Sequence, residues 1–145
     1  MRVSTTNGGT MEWVTSGSVW PHFQVMSKEL NNPNVLICPA DNRKPATNWT
    51  TLTGSNISYF VCLDADETQP QMWLSGDSNL ELDGKPVSSG TLNLWTNSNV
   101  GWTAARHIRQ GYVALGDGSV QQYSSSKLRE ALAVTGVATN RLAIP

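Results

Sequence analysis

His107 and the pair Asp117-Gly118 bracket the segment His107-Ile-Arg-Gln-Gly-Tyr-Val-Ala-Leu-Gly-Asp117-Gly118. An imidazole and a carboxylate could be two members of a nucleophilic triad, which also needs a nucleophile in hydrogen-bond reach and an oxyanion site. The chain has no Gly-x-Ser-x-Gly elbow. Its two cysteines, Cys38 and Cys62, lie in apolar runs rather than reactive settings. The same spacing has an architectural reading. Asp-Gly between apolar runs signals a hairpin, because the turn needs positive φ and glycine reaches it without a Cβ clash. Strands are predicted at residues 111–115 and 120–123. His107 then stands near the start of the first strand, away from the tip. It is expected to brace the hairpin through hydrogen bonds to backbone or a nearby carboxylate, with Asp117 as a turn residue.

A second group is acidic: Asp64, Asp66 and Glu67, in one loop. Calcium takes several oxygen ligands, and closely spaced acids on a loop supply them. The run lacks the EF-hand pattern. Asp77 and Asn79 would return to the same end of the sheet. The other reading is a solvated connection whose aspartates cap backbone N–H groups. Cys38 and Cys62 read as buried thiols, or as a disulfide between neighbouring strands. No CxxC pair supports a zinc-finger or thioredoxin-like motif. Phosphate-loop, dinucleotide and His-Glu-x-x-His patterns are absent. His22 lies in a predicted helix and says little alone.

These residues must be positioned by the elements around them. Residues 20–30 are predicted as a helix, with Ser18 as cap, Pro21 in the first turn and Asn31-Asn32-Pro33 as stop. Phe23, Met26 and Leu30 would face the core. Residues 35–38 read as a short strand. Residues 57–63 are rich in β-branched and aromatic side chains and read as the clearest strand, with 72–75 as its antiparallel neighbour. Asp83-Gly84 centres a second hairpin between 80–82 and 85–87, and 92–95 adds another strand. Residues 125–134 read as a helix capped by Ser124 or Ser125, sharing Leu128, Ala131 and Leu132 on one face and ended by Gly136. Hairpins and short loops argue for an α+β fold with an antiparallel β-sheet, a short N-terminal helix and a C-terminal helix.

At 145 residues the chain reads as a single domain, 1–145. Its net charge of −1 and 14% charged residues carry no basic face for nucleic acid. No window approaches the roughly 20 apolar residues that span a bilayer. The six tryptophans read as large core anchors, or as a stacking surface for sugars or a subunit contact.

The H-x9-DG run, together with Cys38-Pro39-Ala40-Asp41, Asn56-Ile-Ser-Tyr59-Phe60, Leu63-Asp64-Ala65-Asp66-Glu67-Thr68 and the closing Ala138-Thr-Asn140-Arg141-Leu-Ala-Ile-Pro145, resembles the prepilin-type H-x9-DG domain of bacterial pseudopilin-like proteins. The resemblance runs from about Val35 to Pro145. Ala40 stands where the family often has Ser. The resemblance implies a pilin-like head whose long N-terminal anchor helix is missing from this chain, and His107, Asp117 and Gly118 as its signature. It implies a non-catalytic structural subunit of a pseudopilus or type IV pilus-like assembly involved in protein secretion. The full-length form would be anchored to the inner membrane and face the periplasm. Its partners would be other subunits and the secretion machinery. Some similar proteins bind calcium in a loop near the end of the sheet. The rival reading is an extracytoplasmic binding module for a polysaccharide or other cell-surface ligand.

Overall fold

The computed structural model of the chain describes residues 3–66 and 68–145. Among these, helices α1 (Trp20–Gln24), α2 (Ser27–Leu30) and α3 (Ser125–Ala133) accompany nine strands. The strands are β1 (Tyr59–Cys62), β2 (Trp73–Asp77), β3 (Leu80–Leu82), β4 (Lys85–Pro86), β5 (Gly90–Trp95), β6 (Val100–Trp102), β7 (Gln110–Leu115), β8 (Val120–Ser124) and β9 (Thr139–Ile144). A six-stranded sheet has the order β5-β9-β1-β2-β7-β8, and a three-stranded sheet the order β4-β3-β6. Every pairing is antiparallel. The fold is α+β, as the hairpin pattern predicts. No helix among the described residues is long and apolar enough to cross a membrane.

The large sheet is buried on both faces because its central strands alternate two apolar sets. Phe60 and Cys62 of β1, with Leu142 and Ile144 of β9, enter one cluster with Trp73, Trp102, Leu128 and Leu132. The small sheet and α3 cover that face. Val61 and Ala143 point the other way, into a second cluster with Val19, Phe23, Leu36, Leu52 and Ile57 from the N-terminal segments. Each fully buried large apolar side chain contributes about 1.5–3 kcal/mol, so the two clusters supply the main drive to fold.

Both Asp-Gly turns stand where the spacing predicts. Asp83 (φ 52°) and Gly84 (φ 74°) form the two-residue loop between β3 and β4. At the β7–β8 tip Gly118 has φ 82°. There the Ser119 N–H donates to Asp117 Oδ1 at 2.9 Å. Ser124 accepts from the Lys127 N–H and caps α3, and Gly136 follows at φ 86°.

Two segments differ from expectation, and two strands stand where the sequence predicts no element. Residues 20–30 form two short helices, because Met26 leaves helical geometry at φ −92°, ψ 16°. Phe23 and Leu30 reach the second cluster while Met26 is exposed, so no packing rewards an unbroken helix. Ser18 does not cap α1; its own N–H donates to the Ser16 hydroxyl. Pro33–Leu36 is a 3-10 turn instead of a strand, opened by the Asn32 side chain accepting from the Asn34 N–H. Val100–Trp102 pairs with β3. The closing residues form β9, which lies between β5 and β1 inside the sheet.

Candidate functional site

Three segments meet at one end of β2. Asp77 is the last residue of β2 and lies directly opposite Tyr59 of β1. Its carboxylate is buried, and Oδ2 accepts the Tyr112 N–H at 2.8 Å. Cys38 follows the 3-10 turn; its N–H donates to Ser58 Oγ at 3.0 Å. The Ser58 N–H donates to the Leu36 carbonyl at 2.8 Å. These bonds tie the Cys38 segment to the entry of β1. His107 lies in the turn between β6 and β7.

That turn has an unusual backbone. His107, Ile108 and Arg109 have φ of 51°, 52° and 59°. Left-handed geometry costs a non-glycine residue roughly 1 kcal/mol or more, so the run stores about 3 kcal/mol. Its neighbours hold it in place. Arg106 is buried and donates from Nη1 to the Ser58 carbonyl and from Nη2 to Ser78 Oγ, both at 2.9 Å. The same guanidinium pairs with Asp41 at 3.3 Å, and Asp41 accepts from the Ser58 hydroxyl at 2.8 Å. The Asn79 amide reaches the carbonyls of Thr103 and Arg106.

The result is a Cys-His-Asp cluster. His107 Nε2 lies 3.2 Å from Cys38 Sγ and 3.7 Å from Asp77 Oδ2. All three donor atoms fall within 4.8 Å of one another. The edge of one ring meets the face of the other where His107 packs on Tyr112, centroids 5.7 Å apart. Tyr59, opposite Asp77, has its phenol pushed up by burial, and further by the charges of Cys38 and Asp77.

This geometry does not match a nucleophilic triad. In a triad the nucleophile and the orienting carboxylate use different ring nitrogens, whereas Cys38 and Asp77 both approach Nε2. Cys38 is buried, and surface clefts of about 260 to 590 Å³ are lined by other residues. The donor set can hold a metal ion, brace the turn by hydrogen bonding, or both.

The other predicted site residues lie elsewhere. Asp117 and His107 stand at opposite ends of β7. Asp117 is a turn residue, its carboxyl held below the usual range by the Ser119 hydrogen bonds. Both oxygens of Asp64 face Arg141, which donates from Nη2 to Oδ1 at 2.6 Å and from its backbone N–H to Oδ2 at 2.8 Å. Asp66 accepts from the N–H and hydroxyl of Thr68. Glu67 lies outside the described residues. Asp77 does not join Asp64: antiparallel register puts it at the Tyr59 end of β1, with Asp64 past the other end. Cys62 is a free thiol within the core, pushed up to about 12 by burial. An apolar cleft of about 590 Å³ opens over the second face, between Phe23, Met26, Val61 and Ala114, with His22 in its wall.

In the sequence Cys38 and His107 stand as separate features, and neither is joined to Asp77. The available signal was that both lie in motifs of one resemblance, 69 residues apart. No family model, curated protein or solved structure matches this chain.

Proposed function

We propose that this domain is the head of a pseudopilin-like structural subunit of a bacterial envelope assembly involved in protein secretion, without catalysis. An anchor helix would hold neighbouring subunits together, while the sheet and its loops make lateral contacts at the periplasmic side of the inner membrane. The observation that carries the reading is the placement of the motifs. The Cys38-Pro39-Ala40-Asp41 piece, Ser58-Tyr59 and His107 of the H-x9-DG run, distant in sequence, interlock through Cys38, Asp41, Ser58 and Arg106. Motifs that serve one another inside a rigid head suit a scaffold. Cys38 is also buried beside its histidine, which does not suit turnover of a substrate.

The test uses the product of the complete gene, tagged and expressed in a secreting bacterium. A membrane precursor trimmed by the prepilin peptidase, with crosslinks between copies through introduced surface cysteines, is the expected result. An untrimmed, freely soluble product that never crosslinks would overturn the reading.

A second reading rests on aromatic exposure. Trp95, on edge strand β5, is 58% exposed, and Trp13 is exposed where it meets Trp20, centroids 5.6 Å apart. These rings favour a binding module for polysaccharide. Quenching or a blue shift of tryptophan fluorescence on adding glycans, lost in Trp95→Ala, would support it.

A further inference from the structure

We infer that Cys38, Asp77 and His107 bind one borderline-soft divalent transition metal, with zinc the best fit, and that the ion clamps the turn at residues 107–109 to the Cys38 segment. The inference does not depend on assembly into a filament.

Donor chemistry selects the ion. Thiolate, imidazole and carboxylate suit zinc, whereas calcium and magnesium take oxygen ligands. With Zn–S of about 2.3 Å and Zn–N or Zn–O of about 2.0–2.2 Å, tetrahedral ligands stand roughly 3.3–3.6 Å apart. The separations of 3.2 Å and 3.7 Å about Nε2 straddle that range. Charge also balances: a thiolate and a carboxylate cancel the two charges of the ion, so the mostly buried site becomes neutral. Binding releases the Cys38 thiol proton to solvent.

Orientation points the same way. Two different groups aimed at one ring nitrogen are what a shared centre requires. The Tyr112 N–H fixes the Asp77 carboxylate, and Ser58 fixes the Cys38 backbone, the supporting bonds that metal ligands usually receive. Three consecutive left-handed residues carry the imidazole, and such strain clusters where a site demands it. His107 is about a quarter exposed, its side chain at 26%, so water can fill the fourth position.

The test uses the full chain, stripped by a chelator under reducing conditions, then mixed with Zn2+, Co2+, Ca2+ or Mg2+. Retention of one zinc per chain after desalting is expected. Cobalt should give a sulfur-to-metal charge-transfer band and the strong visible bands of a four-coordinate ion; calcium and magnesium should not be retained. Cys38→Ser should abolish the sulfur band and weaken zinc binding at least about 100-fold, and Asp77→Asn or His107→Gln should weaken it about 10–100-fold, the scale lost even for outer partners of a metal. Cys62→Ala should keep the band. If a ligand variant does not fold by circular dichroism, alkylation of the unaltered chain decides: zinc must protect Cys38, read from its peptide by mass spectrometry. No retained zinc, a cobalt spectrum without sulfur, unprotected Cys38, or a sulfur band surviving Cys38→Ser would each overturn the inference.

Discussion

Replacing Arg106 with Met tests whether the bonds around the cluster hold the head together. Arg106 is only 7% exposed. Its guanidinium meets Asp41, the Ser58 carbonyl and the Ser78 hydroxyl. Met keeps much of the apolar stem and removes all three contacts. Each hydrogen bond from a charged donor is worth about 1.5–3 kcal/mol, and removing one side of a buried pair costs about 3–5 kcal/mol. These overlap, and Asp41 keeps Ser58 and Arg43 as partners. A loss of about 3 kcal/mol is expected, or roughly 10 °C in Tm for a chain this long. Urea unfolding followed by circular dichroism measures it, and a cycle with Asp41→Asn isolates the pair; a coupling of at least about 1 kcal/mol is expected. The pH dependence has a definite sign. Burial pushes the Asp41 carboxyl up, but the Ser58 and Arg43 hydrogen bonds and the charges of Arg106 and Arg43 outweigh it and hold it below 3.8. Its contribution is therefore present above pH 3.8 and lost as pH falls through the lower folded value. In Arg106→Met that acid loss should shrink. A cost below about 0.5 kcal/mol, or strict additivity in the cycle, would refute the idea that these contacts act as a unit.

Gly111→Ala would put a Cβ 2.7 Å from the Trp102 ring, whereas nothing lies within 4 Å of a Cβ at Gly118. Gly111→Ala should cost about 3 kcal/mol by overpacking and Gly118→Ala about 1–2 kcal/mol by φ strain alone, both read by denaturant unfolding; the reverse order would contradict the packing. His22 is buried against Thr10, and burial holds its imidazole down to about 4 from 6.5. The unfolded chain binds that proton first as pH falls, so stability is complete above pH 6.5 and drains towards pH 4, by about 2 kcal/mol after screening at the cleft. His22→Asn should flatten this part of the profile, and an unchanged slope would exclude His22. Calcium at Asp64 has to displace Arg141, so Arg141→Gln should enlarge any calcium-dependent rise in Tm; equal rises in both proteins would show that calcium does not use Asp64. Ile108 is 88% exposed at φ 52°. Ile108→Asn should stabilise by about 0.5–1 kcal/mol, since Asn tolerates that geometry; a loss of stability would mean that the turn is not strained at this residue.

Hairpins and the final helix were legible because their signals are local. Asp83-Gly84 and Asp117-Gly118 carry their own turn chemistry, and Ser124 with Leu128 and Leu132 carries the cap and buried face of α3. The elements that escaped depend on distant partners. Thr139–Ile144 is a short mixed run, and it is a central strand only because β5 and β1 flank it. Val100–Trp102 is defined by its pairing with β3. Conversely, the helical spacing of Phe23, Met26 and Leu30 is real, but Met26 finds no core beneath it. Periodicity shows which face could be buried; the tertiary surface decides whether it is.

The cluster divides along the same line. That His107 would brace the hairpin, through backbone or a nearby carboxylate, follows from its place at the base of the first strand. Which carboxylate it meets depends on β2 lying beside β7, with the Tyr112 N–H beside Asp77. Nothing near His107 in the chain shows its approach to Cys38. Residues 107–109 point the other way: His tolerates left-handed geometry, but Ile and Arg beside it are poor choices, and β-branched Ile is the worst of them. A segment that keeps such residues in such a conformation is shaped by what lies across from it. Here that is a thiol and a carboxylate facing one nitrogen. The left-handed turn and the convergence of Cys38 and Asp77 on one nitrogen are the two observations on which the proposed zinc site stands.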